Sequence, residues 1–534
     1  MKMNALIGQL SLLLIATLLP GFSWSQTTPL QAKQELVRSN GTEPESLDPA
    51  LSETVNSATI VCDIFEGLTA IDRDGKVVPG VAQSWKQTNP TTWVFTLRKN
   101  STFSNGDPVT AHDFVYAWQR FLNPKTASPY ASTFGVFLIN GIEVVAGKKP
   151  PTELGVNALD AHTLEVKTTV PAPFMPSLVA SQQFAPVNRT VIEKLGRNWT
   201  RPGNMVGNGP FVLQEAVVNN KIVLTKNPRY WDADSVRLNK VTYLPIEDSN
   251  VDVQLFKSGQ TDMVYQTPPG SYASLKKAYP NEMRNTPLLS IRYYTLNTKD
   301  PVLKDVRVRK AMSMVLDRDI LAQRVTADGQ IALYGLIVQG TEGAAVGNYD
   351  WATWPMAQRV QEAKVLLTQA GLKPGTKLKL MYATSDYHKK MAIFAASEWK
   401  TKLGLDVEME SLEFKVMVKR LHDQNYQIGS DSWAVDYNDA TSFLTVVQCE
   451  SEQNTTGGCN RAADALAEQG NQQSDPEKRA ALLTRAANLA MEDYPLIPLL
   501  QRTMPRLVKT YVGGYSDLNV LNRIRSKDLY ILKH

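Results

Sequence analysis

The segment from Leu378 to Glu410 most constrains what this chain can fold into. The alternating apolar residues of LKLMY predict a strand, and the pattern that follows predicts a helix from about Lys389 to Leu403, ended by Gly404. LDVEME then predicts a second strand. Two strands joined by a helix form a βαβ unit, which is right-handed and pairs its strands in parallel. The sequence therefore predicts an open α/β sheet whose ligands bind at the carboxyl ends of the strands.

Two polar segments follow strands of this predicted sheet. His388 lies in the predicted turn after the first strand. The stretch Ser432–Leu444, SWAVDYNDATSFL, follows the apolar run around Ile428 and has the composition of a binding loop, with Trp433 and Asp436 as its aromatic and acidic residues. Because both segments come after strands, we expect them to meet in one crevice at the same edge.

The rest of the chain divides into a strand-rich first half and a second half in which helices alternate with strands. The run 92–97 alternates apolar and polar residues, and 211–227 contains Asn219-Asn220 between two apolar runs, which predicts a hairpin. In the second half, Asp305 and the Asp475-Pro476 pair each predict a helix start. The predicted fold class is therefore α/β, or mixed α+β.

The amino terminus predicts export. Lys2 precedes an apolar run from Leu10 to Leu19, and Ser23 and Ser25 supply small residues for a signal peptide cleaved after Ser25. The run is too short to span a bilayer, and no cysteine follows it to accept lipid. We expect the mature chain to be soluble and to lie outside the cytoplasm.

The three cysteines fit an oxidising compartment. Cys449 and Cys459 flank the turn sequence NTTGG, and the pair predicts a disulfide worth about 2–3 kcal/mol. Cys62 lies among Ile60, Val61 and Ile64 and is predicted to be a buried thiol.

Composition and motifs exclude several classes of function. The net charge is only +5, with both signs interspersed, so no nucleic acid is expected as a partner. The five histidines show no ligand spacing, and the chain lacks HExxH, CxxC pairs, a Walker loop and a GxSxG elbow. We therefore expect no enzyme, no metal site and no cofactor. The acid pairs Asp431/Asp436 and Asp436/Asp439 leave an exported peptide or glycan hydrolase as an alternative.

Motifs in the same order over nearly the whole mature chain resemble the periplasmic oligopeptide-binding proteins, the solute receptors of peptide ABC importers, and in particular the oligopeptide and murein-peptide receptors. These motifs are EPESLDPA, DIFEGL, PGVAQSW, NGDPVTAHDFVYAWQR, TASPYAS, NPRYWD, SGQTDM, TSDYHKK, DYNDATSFL, VGGY and LYILKH.

The resemblance implies a two-lobed periplasmic binding protein with a third, inserted domain. It divides the chain into a signal peptide (1–25), a discontinuous sheet lobe (26–65, 189–290 and 504–534), an inserted domain (66–188) and an α/β ligand-binding lobe (291–503).

The resemblance also implies how a ligand is held. An extended peptide is paired as an added strand, so its backbone supplies affinity with little regard to side chains. Asp436 would bind the ligand's α-amino group and His388 its carboxylate. Backbone groups would come from Ser432, Ala434, Glu53, Thr54 and Val55, side-chain pockets from Tyr130, Trp433 and Phe414, and further contacts from Tyr265, Tyr293 and Arg506.

The chain departs from the family pattern at several ligand positions. Ser430 and Thr326 stand where basic anchors are expected, Ser249 and Thr295 where pocket acids are expected, and Leu421 where an arginine would favour murein peptides. Arg502 replaces a tyrosine, and it either supplies a replacement charge or rejects cationic side chains. We therefore expect a monomeric peptide receptor that serves an inner-membrane ABC permease, with peptide length and side-chain preference left open. A receptor of the same fold for haem, nickel or a modified peptide is the alternative.

Overall fold

The computed structural model describes residues 29–435 and 437–534. Within these residues the strands are β1 (Glu35–Ser39), β2 (Thr69–Ile71), β3 (Val77–Pro79), β4 (Ala82–Asn89), β5 (Thr92–Leu97), β6 (Val156–Asp160), β7 (Thr163–Lys167), β8 (Phe211–Val217), β9 (Lys221–Lys226), β10 (Lys240–Leu244), β11 (Met283–Leu296), β12 (Ile331–Ala332), β13 (Lys377–Ala383), β14 (Asp406–Leu412), β15 (Ile428–Ala434), β16 (Leu496–Leu507), β17 (Val512–Gly513) and β18 (Tyr530–Ile531).

The α-helices of the same residues alternate with these strands mainly in the second half. They are α1 (Val55–Ile64), α2 (Ala111–Leu122), α3 (Ala131–Gly135), α4 (Gly141–Val145), α5 (Met175–Leu178), α6 (Arg189–Leu195), α7 (Ser249–Lys257), α8 (Tyr272–Ala278), α9 (Val306–Met314), α10 (Arg318–Ile320), α11 (Met356–Gln369), α12 (Asp386–Leu403), α13 (Phe414–His422), α14 (Ala440–Leu444), α15 (Arg461–Gln472) and α16 (Pro476–Glu492).

The predicted βαβ unit is confirmed. β13 and β14 pair in parallel from Lys377 opposite Asp406 to Ala383 opposite Leu412, and α12 connects them. Gly404 ends this helix in the left-handed conformation (φ 71°), which glycine adopts without a steric penalty. Trp399 of α12 is fully buried, and it packs beside Tyr294 of β11 at a ring-centroid distance of 5.8 Å. The unit therefore forms one side of a six-stranded sheet and shares a hydrophobic cluster with β11.

That sheet has the strand order β12-β16-β11-β15-β13-β14. Two four-stranded sheets come from the first half of the chain, in the orders β1-β10-β9-β8 and β4-β5-β7-β6. The hairpin predicted around Asn219-Asn220 is the antiparallel pair β8–β9, and Asn219 takes up a positive φ of 56° at its turn. The helix starts predicted at Asp305 and Asp475 are confirmed, because each side chain accepts backbone N–H groups of the helix that follows it.

β11 and β16 are the longest strands of the described chain, and they link different parts of the core. The amino end of β11, at Met283, pairs with Leu507 in a small cluster around α7. Its carboxyl end, at Tyr294 and Leu296, lies in the core of the α/β region. The pairing of β11 with β16 is irregular between Pro287 and Ile291. The two strands therefore form a long ribbon that is interrupted near its middle.

Three details of the sequence prediction are wrong. His388 is not in a turn but in the first turn of α12, which begins at Asp386 because the Ser385 hydroxyl caps it. Trp433 is not in a loop, because β15 continues to Ala434. Cys62 is half-buried and not fully buried, and burial raises the pKa of its thiol. A thiol held in its neutral form is a poor nucleophile.

The disulfide predicted between Cys449 and Cys459 is present, and it closes the loop between α14 and α15. None of the helices in residues 29–435 and 437–534 is long and apolar enough to cross a membrane. The predicted signal peptide, residues 1–25, lies outside the described residues.

Candidate ligand-binding cleft

A cleft brings together predicted ligand contacts from distant parts of the sequence. Glu53, Thr54 and Val55 form one side of it at the start of α1, and Tyr130 lines it just before α3. Val435, which directly follows β15, lines it as well. The cleft is therefore bordered by Glu53–Val55 and by the residue that directly follows β15, whereas the predicted contacts Ser432, Trp433 and Ala434 do not themselves line it.

The cleft also contains residues that the sequence did not single out. They come from the helical turn 182–184 and from the carboxyl-terminal segment, and they include Gln182, Gln183, Leu521, Asn522, Arg523 and Arg525. No local pattern distinguishes them, because their proximity to Glu53 arises from contacts more than 100 residues apart, such as the hydrogen bond of 2.9 Å that the Gln183 amide donates to the Ser52 carbonyl.

The backbone of β15 is paired on one side only over most of its length. β13 pairs with Ile428 and Gly429 and then diverges, although β13 itself continues to Ala383 beside β14. Residues 430–434 pair with β11 on their other side. Within the described chain, the second edge of residues 430–434 pairs with no strand, although two backbone groups of this segment are bonded to side chains: the Ser432 N–H to Asp431 and the Trp433 carbonyl to the Ser290 hydroxyl.

Asp436, the predicted contact for an α-amino group, lies outside the described residues. The segments on either side of it are held firmly. The indole N–H of Trp433 donates to the Ser442 carbonyl at 2.7 Å. Tyr437 stacks on Phe174, from the first half of the chain, at a centroid distance of 4.5 Å. Asp439, buried, pairs with Arg479 at 2.8 Å.

On the opposite side of the cleft, Glu45 organises the segment Glu53–Val55. One carboxylate oxygen of Glu45 accepts the backbone N–H groups of Glu53 and Thr54, at 2.5 and 2.8 Å. The other accepts the hydroxyls of Thr54 and Ser57, at 2.5 and 2.6 Å. Partial burial raises the pKa of Glu45, but these hydrogen bonds outweigh it and lower the pKa to about 2. Two backbone N–H groups of this predicted ligand-binding segment, those of Glu53 and Thr54, are therefore already bonded.

A similar contact occurs on β15. The Asp431 carboxylate accepts the backbone N–H of Ser432 at 2.8 Å and the hydroxyl of Tyr293 at 3.1 Å. Burial raises the pKa of Asp431, while these hydrogen bonds oppose the rise. Tyr293, predicted to lie near the ligand, is only 3% exposed and supports β15 from β11.

A cluster of basic residues lies beside the open part of β15. Arg292 of β11 is directly opposite Ser432, and its Nη1 donates to Nε2 of His388 at 3.1 Å. Its guanidinium also lies 4.6 Å from the ring centroid of Tyr387. Burial lowers the pKa of Arg502 on β16, and the nearby charge of Arg292 lowers it further. The structure thus brings the predicted residues His388 and Arg502 together with Arg292, which the sequence analysis missed.

The remaining predicted contacts are scattered. Tyr265 is half-buried, and its ring lies against Gly41. Arg506 is 3% exposed, and it donates to the Asn522 side chain at the cleft. Phe414 is 62% exposed at the start of α13 and is not among the residues that line the cleft.

Apart from Arg502, the positions that depart from the family pattern carry no charge. Thr326 is buried, and its hydroxyl donates to backbone carbonyls of its own helical turn. Thr295 and Leu421 are buried in the core, and Ser430 is only 8% exposed within β15. Ser249 begins α7. A cation near the open part of β15 must therefore come from other positions.

Known proteins match this chain over most of its length. A model of the bacterial extracellular solute-binding proteins, family 5, matches residues 76–455. The periplasmic oligopeptide-binding protein OppA of Salmonella typhimurium is 42% identical over 510 residues, which cover 95% of this chain and 94% of the relative.

Two solved structures of relatives represent an unliganded open form and a peptide complex. An unliganded open form of the murein tripeptide binding protein MppA matches with a TM-score of 0.90 at 37% identity, over 95% of this chain and 99% of the other. Haemophilus influenzae OppA in complex with the peptide RPPGFSPFR matches with a TM-score of 0.72, also at 37% identity, over 94% and 100%. At equal identity, this structure therefore superposes more closely on the unliganded open form than on the peptide complex.

Proposed function

We propose that this chain is a periplasmic receptor that binds extended oligopeptides and delivers them to an ABC permease. The chain belongs to the bacterial extracellular solute-binding proteins of family 5. It is a binding protein and not an enzyme. The observation that carries the proposal is the open edge of residues 430–434, which ends at the same cleft as Glu53–Val55.

A peptide fits this edge because its backbone supplies what β15 lacks. An extended chain paired with residues 430–434 would continue the sheet in the place that β13 leaves. Each backbone hydrogen bond contributes about 0.5–1.5 kcal/mol, whatever the peptide's side chains. Such pairing favours a receptor that accepts many sequences.

Contacts with the charged ends of the peptide would fix the direction in which it binds. Asp436 would pair with the α-amino group, and a charge-assisted hydrogen bond of this kind is worth about 1.5–3 kcal/mol. Tyr130, Trp433 and Phe414 remain the proposed contacts for side chains.

Closure would follow from the long ribbon of β11 and β16. The two strands join the core around α7 to the core of the α/β region, and their pairing is irregular between Pro287 and Ile291. A small change in backbone angles at such an interruption rotates whole lobes, which is the hinge closure typical of binding proteins. We place the receptor in the periplasm as a monomer whose partners are the peptide and the permease, with the chain cleaved after Ser25.

Mass spectrometry of the ligand released from the purified protein tests the proposal. We expect a mixture of short peptides. A single non-peptide compound would instead establish a receptor of the same fold for another solute, and turnover of added peptides would establish a hydrolase; either result would overturn the proposal.

A further inference from the structure

We propose that Tyr437 is a positioning residue for the ligand edge of β15 and that it acts from a socket outside the α/β region. The socket is defined by Phe137, Phe174 and Ser177, which come from the first half of the chain. This inference rests on the proposed function, because the edge that Tyr437 would position is the one at which a peptide would pair. Neither Tyr437 nor any residue of the socket is among those that line the cleft.

The chain moves from one hydrophobic core to another directly after β15. Val435 packs against the cluster of α14 and α16, and Ala440 belongs to that cluster as well. Tyr437, which lies between them in sequence, belongs instead to the cluster of the first half. Among the described residues, it is the only one between Met263 and Val508 that belongs to this second cluster. The chain therefore leaves one core, inserts a single aromatic ring into the other, and has returned by Ala440.

The socket holds this ring through several buried contacts. Tyr437 stacks on Phe174 at a centroid distance of 4.5 Å, and Phe137 meets it edge-on at 6.0 Å. The next residue, Asn438, donates its backbone N–H to the Ser177 hydroxyl at 3.2 Å. Phe174, Ser177 and Tyr437 are all buried. Because interiors are closely packed, such a contact has one preferred geometry.

The same segment is also tied to the α/β region. The Asn438 side-chain amide donates to the Gly340 carbonyl at 3.0 Å, and its oxygen accepts the Glu342 N–H at 2.8 Å. Asp439 pairs with Arg479 through two hydrogen bonds, at 2.8 and 2.9 Å. A shift between the socket and the α/β region at this point would break buried contacts on one side or the other, which is costly.

These contacts matter for a peptide because the end of β15 has few other supports. Its bonding to β11 ends where the Val435 N–H donates to the Leu289 carbonyl at 3.1 Å. Among the described residues, its second edge pairs with no strand beyond Gly429. The next buried side chain that the structure describes is Tyr437. The socket therefore fixes the point at which β15 ends.

The socket is also linked to the opposite wall of the cleft. Tyr130, which lines the cleft, lies just before α3, and Phe137 lies just after it. Tyr130 stacks on Phe134 of the same helix at a centroid distance of 5.3 Å. The contact of Tyr437 with the socket thus sets the distance between Tyr130 and Val435, which line the cleft from the two halves of the chain.

Phe174→Leu tests this positioning from the side that does not touch the cleft. In titration calorimetry on ligand-free protein, loss of the stacked ring should weaken binding of tetra-alanine by about three- to tenfold. In hydrogen exchange, it should accelerate exchange of the Val435 N–H by about threefold or more, because this amide reports local opening at the end of β15. The matched control is Phe103→Leu, which shortens a fully buried aromatic side chain of the same cluster and should leave both measurements at wild-type values.

Equal behaviour of Phe174→Leu and Phe103→Leu in either measurement would overturn the proposal. If Phe174→Leu did not fold, Ser177→Ala would take its place, because it removes the acceptor of the Asn438 N–H. We expect a change of about threefold in each measurement for Ser177→Ala, and wild-type behaviour in either would overturn the proposal. Hydrogen exchange needs no ligand, so it tests the positioning separately. A wild-type protein that bound no peptide would instead refute the proposed function.

Discussion

The two backbone segments that border the cleft differ in what they offer a peptide. β15 is fixed in a six-stranded sheet and leaves one edge of residues 430–434 open. Glu53–Val55 belongs to an irregular segment and a helix start, and the Glu45 carboxylate already accepts its N–H groups. If both segments bind a peptide as proposed, the N–H groups of Glu53 and Thr54 would have to exchange their bonds to Glu45 for bonds to the ligand, whereas on β15 only the Ser432 N–H would exchange its bond to Asp431.

This asymmetry suggests an order of events. A peptide would first pair with β15, because a single N–H group of residues 430–434, that of Ser432, is bonded to a side chain, compared with two at Glu53 and Thr54. Contacts with Glu53–Val55 would then form on closure. The measured affinity reflects the interaction free energy that remains after the cost of ordering the peptide and closing the cleft. A side that needs less rearrangement therefore contributes more of the affinity.

The largest expected effect is at the end of the β15 side. Asp436→Asn removes the charge that would meet the peptide's α-amino group, and we expect a loss of affinity of at least about tenfold, or 1.4 kcal/mol. Calorimetry with a free-amine peptide measures the loss. Asp423→Asn, an exposed aspartate that ends α13, is the matched control. Unchanged affinity of Asp436→Asn for the free-amine peptide would show that Asp436 does not bind the α-amino group.

The second prediction compares the β15 edge with Glu53–Val55 by changing the backbone of the peptide ligand. A single N-methyl group on tetra-alanine removes one backbone donor, and successive residues of an extended peptide point their N–H groups to opposite sides. We expect a loss of about tenfold at positions that face β15 and about threefold at positions that face Glu53–Val55. Equal losses along the peptide, measured by calorimetry, would contradict the asymmetry.

The smallest effect concerns Glu45. Its pKa in the folded protein is about 2, compared with 4.5 ordinarily, so it contributes stability above pH 4.5 that is lost as the pH falls towards 2. We expect Glu45→Gln to show a shallower decrease in Tm between pH 5 and 3 than the wild type. The effect is small because the side chain is exposed to solvent.

Scanning calorimetry of ligand-free protein measures this decrease in Tm. Glu43→Gln alters a neighbouring glutamate whose bond is to the Asn219 backbone, and its Tm should follow the wild-type curve. Parallel curves for wild type and Glu45→Gln would show that the carboxylate does not hold the Glu53–Val55 side.

Much of the fold was predictable from local patterns. Asp305 and Asp475 each began a helix as expected, and the alternation in LKLMY correctly gave a strand parallel to LDVEME. These signals are reliable because capping and side-chain periodicity depend on neighbours in the sequence. The error at Trp433 has the opposite origin. β15 continues through a polar stretch because β11 supplies its hydrogen bonds, and that partner is more than 130 residues away.

The candidate site was predictable only in part. Glu53, Thr54, Val55 and Tyr130 do line the cleft, whereas Tyr293 is buried behind β15. Arg292 was missed although a signal was present: it is a basic residue inside the apolar strand LLSIRYYTL. A charge in such a strand must face solvent or a partner, and sequence alone does not say which.

By itself, the sequence determined the solute-binding family, the βαβ unit and the pairing of Cys449 with Cys459, because these depend on motif order, periodicity and a short loop. Which edge of β15 lacks a paired strand, and which basic residues lie near it, followed only from the folded arrangement. Both depend on which groups lie beside a residue in space: among residues 29–435 and 437–534 no strand pairs with the second edge of residues 430–434, and the Arg292 guanidinium lies beside His388. Neighbours across the sheet come from distant parts of the chain, so no local pattern records their absence.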